Sequence, residues 1–266
     1  MKHNLKGQLP MQVLAVANNK GGVGKTTTAV SLGGALHQLH GARVLMVDLD
    51  PQANLTQNLI GRSTEVEQHV GHAIIDKSLD GIILETESGL HLVPSAIGLA
   101  QYEALIPQQK MWRYRLAQTL ATVASDYDYV VLDCPPTLQT FTVMALVAAD
   151  AYLIATEPEL FALSGLSTLT ELADGVVEGL NSKLRFAGVT VTRYNPKQKN
   201  STHSIVMQAL AMQYGEEALL PSIRRDSAIV KSQGQAQTIF QYDPQSNAAQ
   251  DYAALTTSLI TSFTTR

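Results

Sequence analysis

Eight consecutive residues, Lys20-Gly21-Gly22-Val23-Gly24-Lys25-Thr26-Thr27, have the types and the spacing needed to hold a polyphosphate. In a phosphate-binding loop of pattern G-x-x-x-x-G-K-[ST], backbone N–H groups cradle the phosphates, the lysine reaches the β/γ oxygens and the hydroxyl binds Mg2+. Gly24-Lys25-Thr26 supplies the second half of that pattern, Asn19 stands where the first glycine is expected, and Lys20 adds a second cation at the start of the loop. The amides of Gly21 to Thr27, with a helix N-terminus behind them, would hold the anion. Lys25 would neutralise charge on the β/γ-phosphates and Thr26 would ligate Mg2+, so the chemistry implied is ATP hydrolysis, which is mostly positioning and electrostatic stabilisation.

Three carboxylates follow at places where such a site needs them. Asp48 and Asp50 bracket Leu49 ahead of Pro51, and Asp133 follows a run of apolar residues ahead of Cys134-Pro135-Pro136. Asp133 is expected to hold a magnesium-bound water. Either Asp48 or Asp50 could orient the attacking water, the other supporting the metal or the loop.

These residues must be positioned by strands and helices that the pattern also shows. Val13–Ala17, 43–48, Leu90–Val93, Tyr129–Leu132, Ala151–Ala155 and Ala187–Val191 are short apolar runs of strand type. Helical spacing marks 26–40, closed by Gly41, and also 112–124, 163–180, 201–214 and 246–263. Strands apolar on both faces and separated by helices predict an α/β fold of the P-loop NTPase type, a mostly parallel twisted sheet with helices on both faces. In such sheets ligands bind at the carboxyl ends of the strands. The loop, Asp48/Asp50 and Asp133 all fall at such ends. Residues 63–87 mix polar and short apolar groups, which predicts short helices and turns without a legible role.

The three motifs NKGGVGKTTT, VLMVDLDPQANLT and YVVLDCPP are similar to those of the ParA/Soj partition ATPases, members of the deviant-Walker-A group, and the resemblance extends through IRRDSAIVKSQGQ and PQSNAAQDYAAL. It implies a nucleotide-sandwich homodimer when ATP is bound, in which Lys20 crosses to the partner's phosphates much as an arginine finger does. It implies Asp50 as the residue of water activation and of the outer shell of magnesium. It also implies non-specific DNA binding through Arg224, Arg225 and Lys231, and a ParB-like or other adaptor that stimulates hydrolysis. The location implied is cytoplasmic and nucleoid-associated, away from the membrane.

Composition fits these expectations. The 266 residues suffice for one sizeable domain spanning 1–266, and the formal net charge is −4. Between residues 183 and 231, eight basic side chains (Lys183, Arg185, Arg193, Lys197, Lys199, Arg224, Arg225 and Lys231) stand against three acidic ones, so a basic region sits on an acidic body. Phosphate contacts from such a region would be salt-dependent and sequence-independent. With only a short stretch before the first strand, no helix-turn-helix reader is expected, nor a secretory or spanning segment. One cysteine, Cys134, excludes an intramolecular disulfide framework and a bridging iron–sulfur cluster built from two cysteines per subunit; a small buried residue is expected there. A competing reading is a MinD-like membrane-positioning ATPase with a basic amphipathic C-terminal helix. Against it, the end DYAALTTSLITSFTTR has a polar face of threonine and serine with Arg266 its single cation.

Overall fold

The computed structural model describes residues 10–159, 162–194 and 201–264. Lys197, Lys199 and Arg266 lie outside the described residues. Seven strands form one sheet: β1 (Gln12–Ala17), β2 (Val44–Asp48), β3 (Leu84–Glu85), β4 (His91–Val93), β5 (Tyr129–Asp133), β6 (Ala151–Thr156) and β7 (Arg185–Val191). The helices are α1 (Lys25–His40), α2 (Asn54–Ile60), α3 (Val70–Asp76), α4 (Tyr102–Leu105), α5 (Arg115–Ala121), α6 (Thr140–Ala148), α7 (Ala162–Gly179), α8 (Ser201–Tyr214), α9 (Ser227–Gly234), α10 (Ile239–Tyr242) and α11 (Asn247–Thr264). The strand order is β3-β4-β2-β5-β1-β6-β7. Every pairing is parallel except β3 with β4 at the edge.

Side chains alternate across a strand, and β1 divides its residues accordingly. Val13, Ala15 and Ala17 enter one core with buried residues of α3, α5, α6 and α7, whereas Leu14 and Val16 enter the opposite core with α1, α10 and α11. Both faces of the sheet are therefore covered, which is why the interiors of its central strands are apolar on both sides. Close helix–sheet approach on the α1 side depends on Gly33, where a Cβ would collide with the Met46 sulfur.

Two elements differ from the sequence pattern. Residues 112–124, expected as one helix, split into a 3-10 turn at Trp112–Tyr114, the α-helix α5, and a tightened tail. In that tail Thr122, Val123 and Ala124 donate to the carbonyls three residues back, at 3.2, 3.2 and 3.4 Å. The i→i−3 pattern keeps Val123 against the core after the α-helix has ended, so the apolar stripe at 116, 120 and 123 outlasts the helix that it suggests. The second difference is the antiparallel edge strand β3, whose two residues are too few to leave a periodic signal. The predicted close of α1 is as expected: Gly41 adopts φ 67° and its N–H returns to the carbonyls of His37 and Leu36.

Candidate functional site

The loop between β1 and α1 is held by its neighbours at several points. Buried Asn18 donates from Nδ2 to the Ala155 carbonyl (2.8 Å) and accepts the Lys20 N–H (3.0 Å), tying the loop to β6. Asn19 is accommodated by a glycine of another helix: a Cβ on Gly165 of α7 would lie 2.5 Å from Asn19 Oδ1. Gly22 and Gly24 take φ values of 78° and 89°, which L side chains adopt only with strain. Thr192, just past β7, donates to the Val23 carbonyl at 2.9 Å, and its methyl group would lie 3.2 Å from a Cβ placed on Gly24. Thr192 belongs to no sequence motif, and only the neighbouring position of β6 and β7 brings it here.

Lys25 is 6 % exposed and its ammonium donates to the Lys20 carbonyl at 2.8 Å. Burial lowers its pKa, opposed first by the negative charge of Asp133 and further by that of Asp50. The aspartates lie on adjacent strands, with Asp48 in register beside Asp133. Asp48 is fully buried and its oxygens are occupied: Oδ2 accepts from the Thr56 amide (2.8 Å) and hydroxyl (2.7 Å), and Oδ1 from the Asp50 amide (3.1 Å). Burial still pushes its carboxyl up to about 6, because these hydrogen bonds offset only part of the desolvation and Asp50 adds repulsion.

Asp133 is equally buried, yet neither of its oxygens has a protein hydrogen-bond partner. Its pKa is raised well above the usual carboxylate range, first by burial and then by Asp48, against the pull of the Thr26 hydroxyl and the Lys25 ammonium. A buried carboxylate without partners is costly unless a cation or its hydration shell meets it. The donor set of Asp133, the Thr26 hydroxyl and Asp50 is all oxygen, which suits a hard divalent cation such as Mg2+. Asp50 accepts the Gln52 amide on Oδ1 (2.9 Å), and its own carbonyl accepts the Ser95 hydroxyl (2.7 Å). Ser95 in turn donates its amide to the Thr56 hydroxyl at 2.8 Å. Thr56 and Ser95 thus lock the loop that carries Asp50, a role that their sequence neighbourhoods do not show.

The expected DNA-facing cations fall into two groups. Arg224, one of the cations implied for DNA, clasps Asp251 of α11 through Nη2–Oδ1 (2.7 Å) and Nε–Oδ2 (2.9 Å), while its backbone N–H also donates to Asp251 (2.9 Å). The cause is local, since Asp251 projects from α11 opposite the turn before α9. Arg225 and Lys231 are exposed and make no ion pair among the described residues. Of the wider basic region, Arg193 pairs with Glu157, and Arg185 donates to the Ser262 carbonyl at 3.2 Å with its guanidinium over the Phe263 ring. Among the described residues, the region therefore has fewer unpaired cations than its composition suggests. Lys20 is likewise paired in the single subunit, with Glu159 on the β6–α7 connection, and its side chain remains 40 % exposed.

A cavity of about 850 Å3 opens beside the loop, lined by Gly24 and Thr27, by Glu157 to Glu159, by Thr192 and Arg193, and by residues 223–227, 229, 230 and 233. Gln233 of α9 reaches back from it to donate to the Thr27 hydroxyl at 3.0 Å. Cys134 is buried and its thiol is pushed up by burial and by Asp133, in keeping with a packed small residue. The described residues hold no group of three His, Cys, Asp or Glu side chains able to bind a metal, and among them no helix is long and apolar enough to cross a membrane.

Comparison with known proteins places this geometry among relatives. The AAA-domain family profile matches residues 11–186. The sporulation initiation inhibitor protein Soj of Bacillus subtilis is 34 % identical over 246 residues, covering 92 % of this chain and 96 % of that protein. The chromosome partitioning protein ParA of Caulobacter vibrioides is 34 % identical over 258 residues, with 94 % of each chain covered. Among solved structures, cobyrinic acid a,c-diamide synthase from Mycobacterium smegmatis, with bound ATP analog and magnesium, superimposes with a TM-score of 0.83 at 30 % identity, covering 96 % of both chains.

Proposed function

The chain belongs to the ParA/Soj family of P-loop partition ATPases, and from that premise we propose that it hydrolyses ATP with Mg2+, pairs as an ATP-bound homodimer and binds DNA without sequence preference in that state. The observation that carries the ATPase half is Asp133, a buried carboxylate without partners beside the hydroxyl and lysine of a phosphate loop. Thr26, Asp133 and Asp50 would hold the magnesium ion and its waters. Bound there, the ion would neutralise charge on the β/γ-phosphates as a Lewis acid. The 30 %-identical neighbour described with an ATP analog and magnesium supports this assignment.

Within the subunit, the amides of Gly21 to Thr27 cradle the phosphates and Lys25 supplies the fixed positive charge. Its present bond to the Lys20 carbonyl would be exchanged for phosphate oxygens. Asp50, held by the Gln52 amide and by the Ser95–Thr56 chain, orients the attacking water. Lys20 leaves Glu159 and meets the partner's phosphates when two subunits close, so that hydrolysis depends on pairing.

Of the three cations that the resemblance implies for DNA, Arg225 and Lys231 are exposed and make no ion pair among the described residues, which supports them as phosphate contacts on DNA. A MinD-like membrane role has less support. The apolar face of α11, with Tyr252, Leu255 and Leu259, is already buried in the core that α1 shares. We assign the chain to one ATPase domain acting on the nucleoid in the cytoplasm with a ParB-like or other adaptor. Electrophoretic shift on arbitrary duplex DNA tests the reading: retardation with ATP that weakens with salt and is lost with ADP is expected. DNA-independent mobility under every nucleotide, or ATP-dependent sedimentation with anionic vesicles, would refute it.

A further inference from the structure

Helix α9 meets the phosphate loop through a single polar side chain. Gln233, in its last turn, donates from Nε2 to the Thr27 hydroxyl at 3.0 Å, a contact between residues 206 positions apart. The opposite end of α9 is fastened away from the loop. Asp226 caps it through the Ala228 amide (2.9 Å) and also accepts the Ala248 amide of α11 (3.2 Å), while Arg224 clasps Asp251. The solvent side of the helix carries Lys231 and Val230, with Arg225 just ahead of it. Thr27, Ile229 and Gln233 line the same cavity, so a ligand seated on the loop shares a wall with α9.

The direction of the hydrogen bond decides what it can do. Gln233 uses an amide N–H, so Thr27 Oγ1 accepts, and the hydroxyl hydrogen of Thr27 stays available for an anion. In a run from amide N–H to hydroxyl to phosphate oxygen, each bond polarises the next. We propose that Gln233 is a positioning residue that transmits phosphate occupancy at Thr27 to the cationic helix α9. A nucleotide phosphate accepting from Thr27 strengthens the Gln233 bond and clamps the C-terminal end of α9 to the loop. By linkage, a clamped α9 strengthens phosphate binding by the same factor. This rests on the nucleotide-binding half of the proposed function and not on its DNA half.

Amide hydrogen exchange over residues 227–234 of the full chain, with and without saturating Mg2+-ADP, reads the clamp directly. ADP fills the loop without the γ-phosphate, and the readout involves no DNA. Wild-type exchange in this segment should slow by about 3- to 10-fold with nucleotide, the range expected for one hydrogen bond. Gln233→Ala should reduce that protection to less than about 2-fold and weaken ADP binding by a similar factor of about 3 to 10. Gln233→Glu is the sharper variant: a carboxylate can only accept, so it takes the Thr27 hydroxyl hydrogen from the phosphate and adds negative charge. It should bind ADP more weakly than Gln233→Ala. Nucleotide-independent exchange of α9 in the wild type, full protection in Gln233→Ala, or Gln233→Glu binding ADP as well as Gln233→Ala would each overturn the inference. A wild type that binds no ADP would instead bring down the proposed function.

Discussion

Replacing Arg224 by alanine separates a structural cation from a DNA contact. Its guanidinium makes two short charge-assisted bonds to Asp251 and a longer one to the Asn247 carbonyl (3.3 Å), with side-chain exposures of 32 % for Arg224 and 13 % for Asp251. An exposed ion pair contributes about 0–1 kcal/mol, and removing one partner of a buried pair costs about 3–5 kcal/mol. The geometry here lies between these limits, so Arg224→Ala should cost about 1.5–2.5 kcal/mol. For a chain of this size that is a fall in Tm of about 3–8 °C. Urea unfolding should show a lower midpoint with an unchanged m-value, and a double-mutant cycle with Asp251→Ala should return most of the loss as coupling. At a temperature where the variant is folded, its ATP-dependent DNA affinity should stay within about 2-fold of wild type. Arg225→Ala should do the reverse, melting as the wild type does while losing one phosphate contact per subunit, so the log-affinity against log-salt slope of the homodimer falls by about 1.8. If Arg224→Ala melts with the wild type yet loses DNA binding as Arg225→Ala does, the structural assignment is wrong.

Asp133→Asn should stabilise the nucleotide-free protein by about 1–3 kcal/mol, since a buried carboxylate without partners is replaced by an uncharged isostere, while ATPase turnover collapses. Calorimetry showing a less stable variant would contradict the unsatisfied state of this group. Lys20→Ala should keep ATP binding and lose adaptor- or pairing-stimulated hydrolysis, whereas Lys25→Ala should impair nucleotide binding itself; a fluorescent ATP analog beside phosphate release tells them apart, and identical phenotypes would remove the distinction. His69 caps α3 by accepting the Gly71 amide on Nδ1, and burial, then His72, lowers its pKa to about 4. The fold needs it neutral, so this contribution is fully present above the unfolded value near 6.5 and is lost as pH falls from about 6.5 to about 4. Urea midpoints across that window should drop more steeply for wild type than for His69→Asn, which keeps a cap acceptor, and parallel curves would show that His69 does not titrate with unfolding.

The phosphate loop, the strand-end aspartates and the α/β class were legible because they rest on local rules. A loop that wraps phosphate needs glycines at positive φ, and Gly22 and Gly24 adopt it. A strand buried on both faces must be apolar on both sides along its interior, and β1, β2, β5 and β6 are, with polar residues kept to their ends. Sequence spacing alone also placed Asp48, Asp50 and Asp133 at the carboxyl ends of β2 and β5. What it left open were contacts between residues far apart in the chain. That Asp48 is occupied by Thr56 while Asp133 is left without a partner depends on which strand lies beside which. Thr192 and Ser95 lie in no motif, Gln233 lies in one without an assigned role, and they matter because the fold sets β4 beside β2 and brings the end of β7 and α9 to the loop. Arg224 shows the same limit from the other side, because its charge is plain in the sequence but its neutralisation by Asp251 exists only after α11 has packed. Residue types and short spacings therefore determined which chemistry this protein can hold. Tertiary packing decided which charges stay free to perform it, since a charge's pKa and partners depend on neighbours that chain order does not specify.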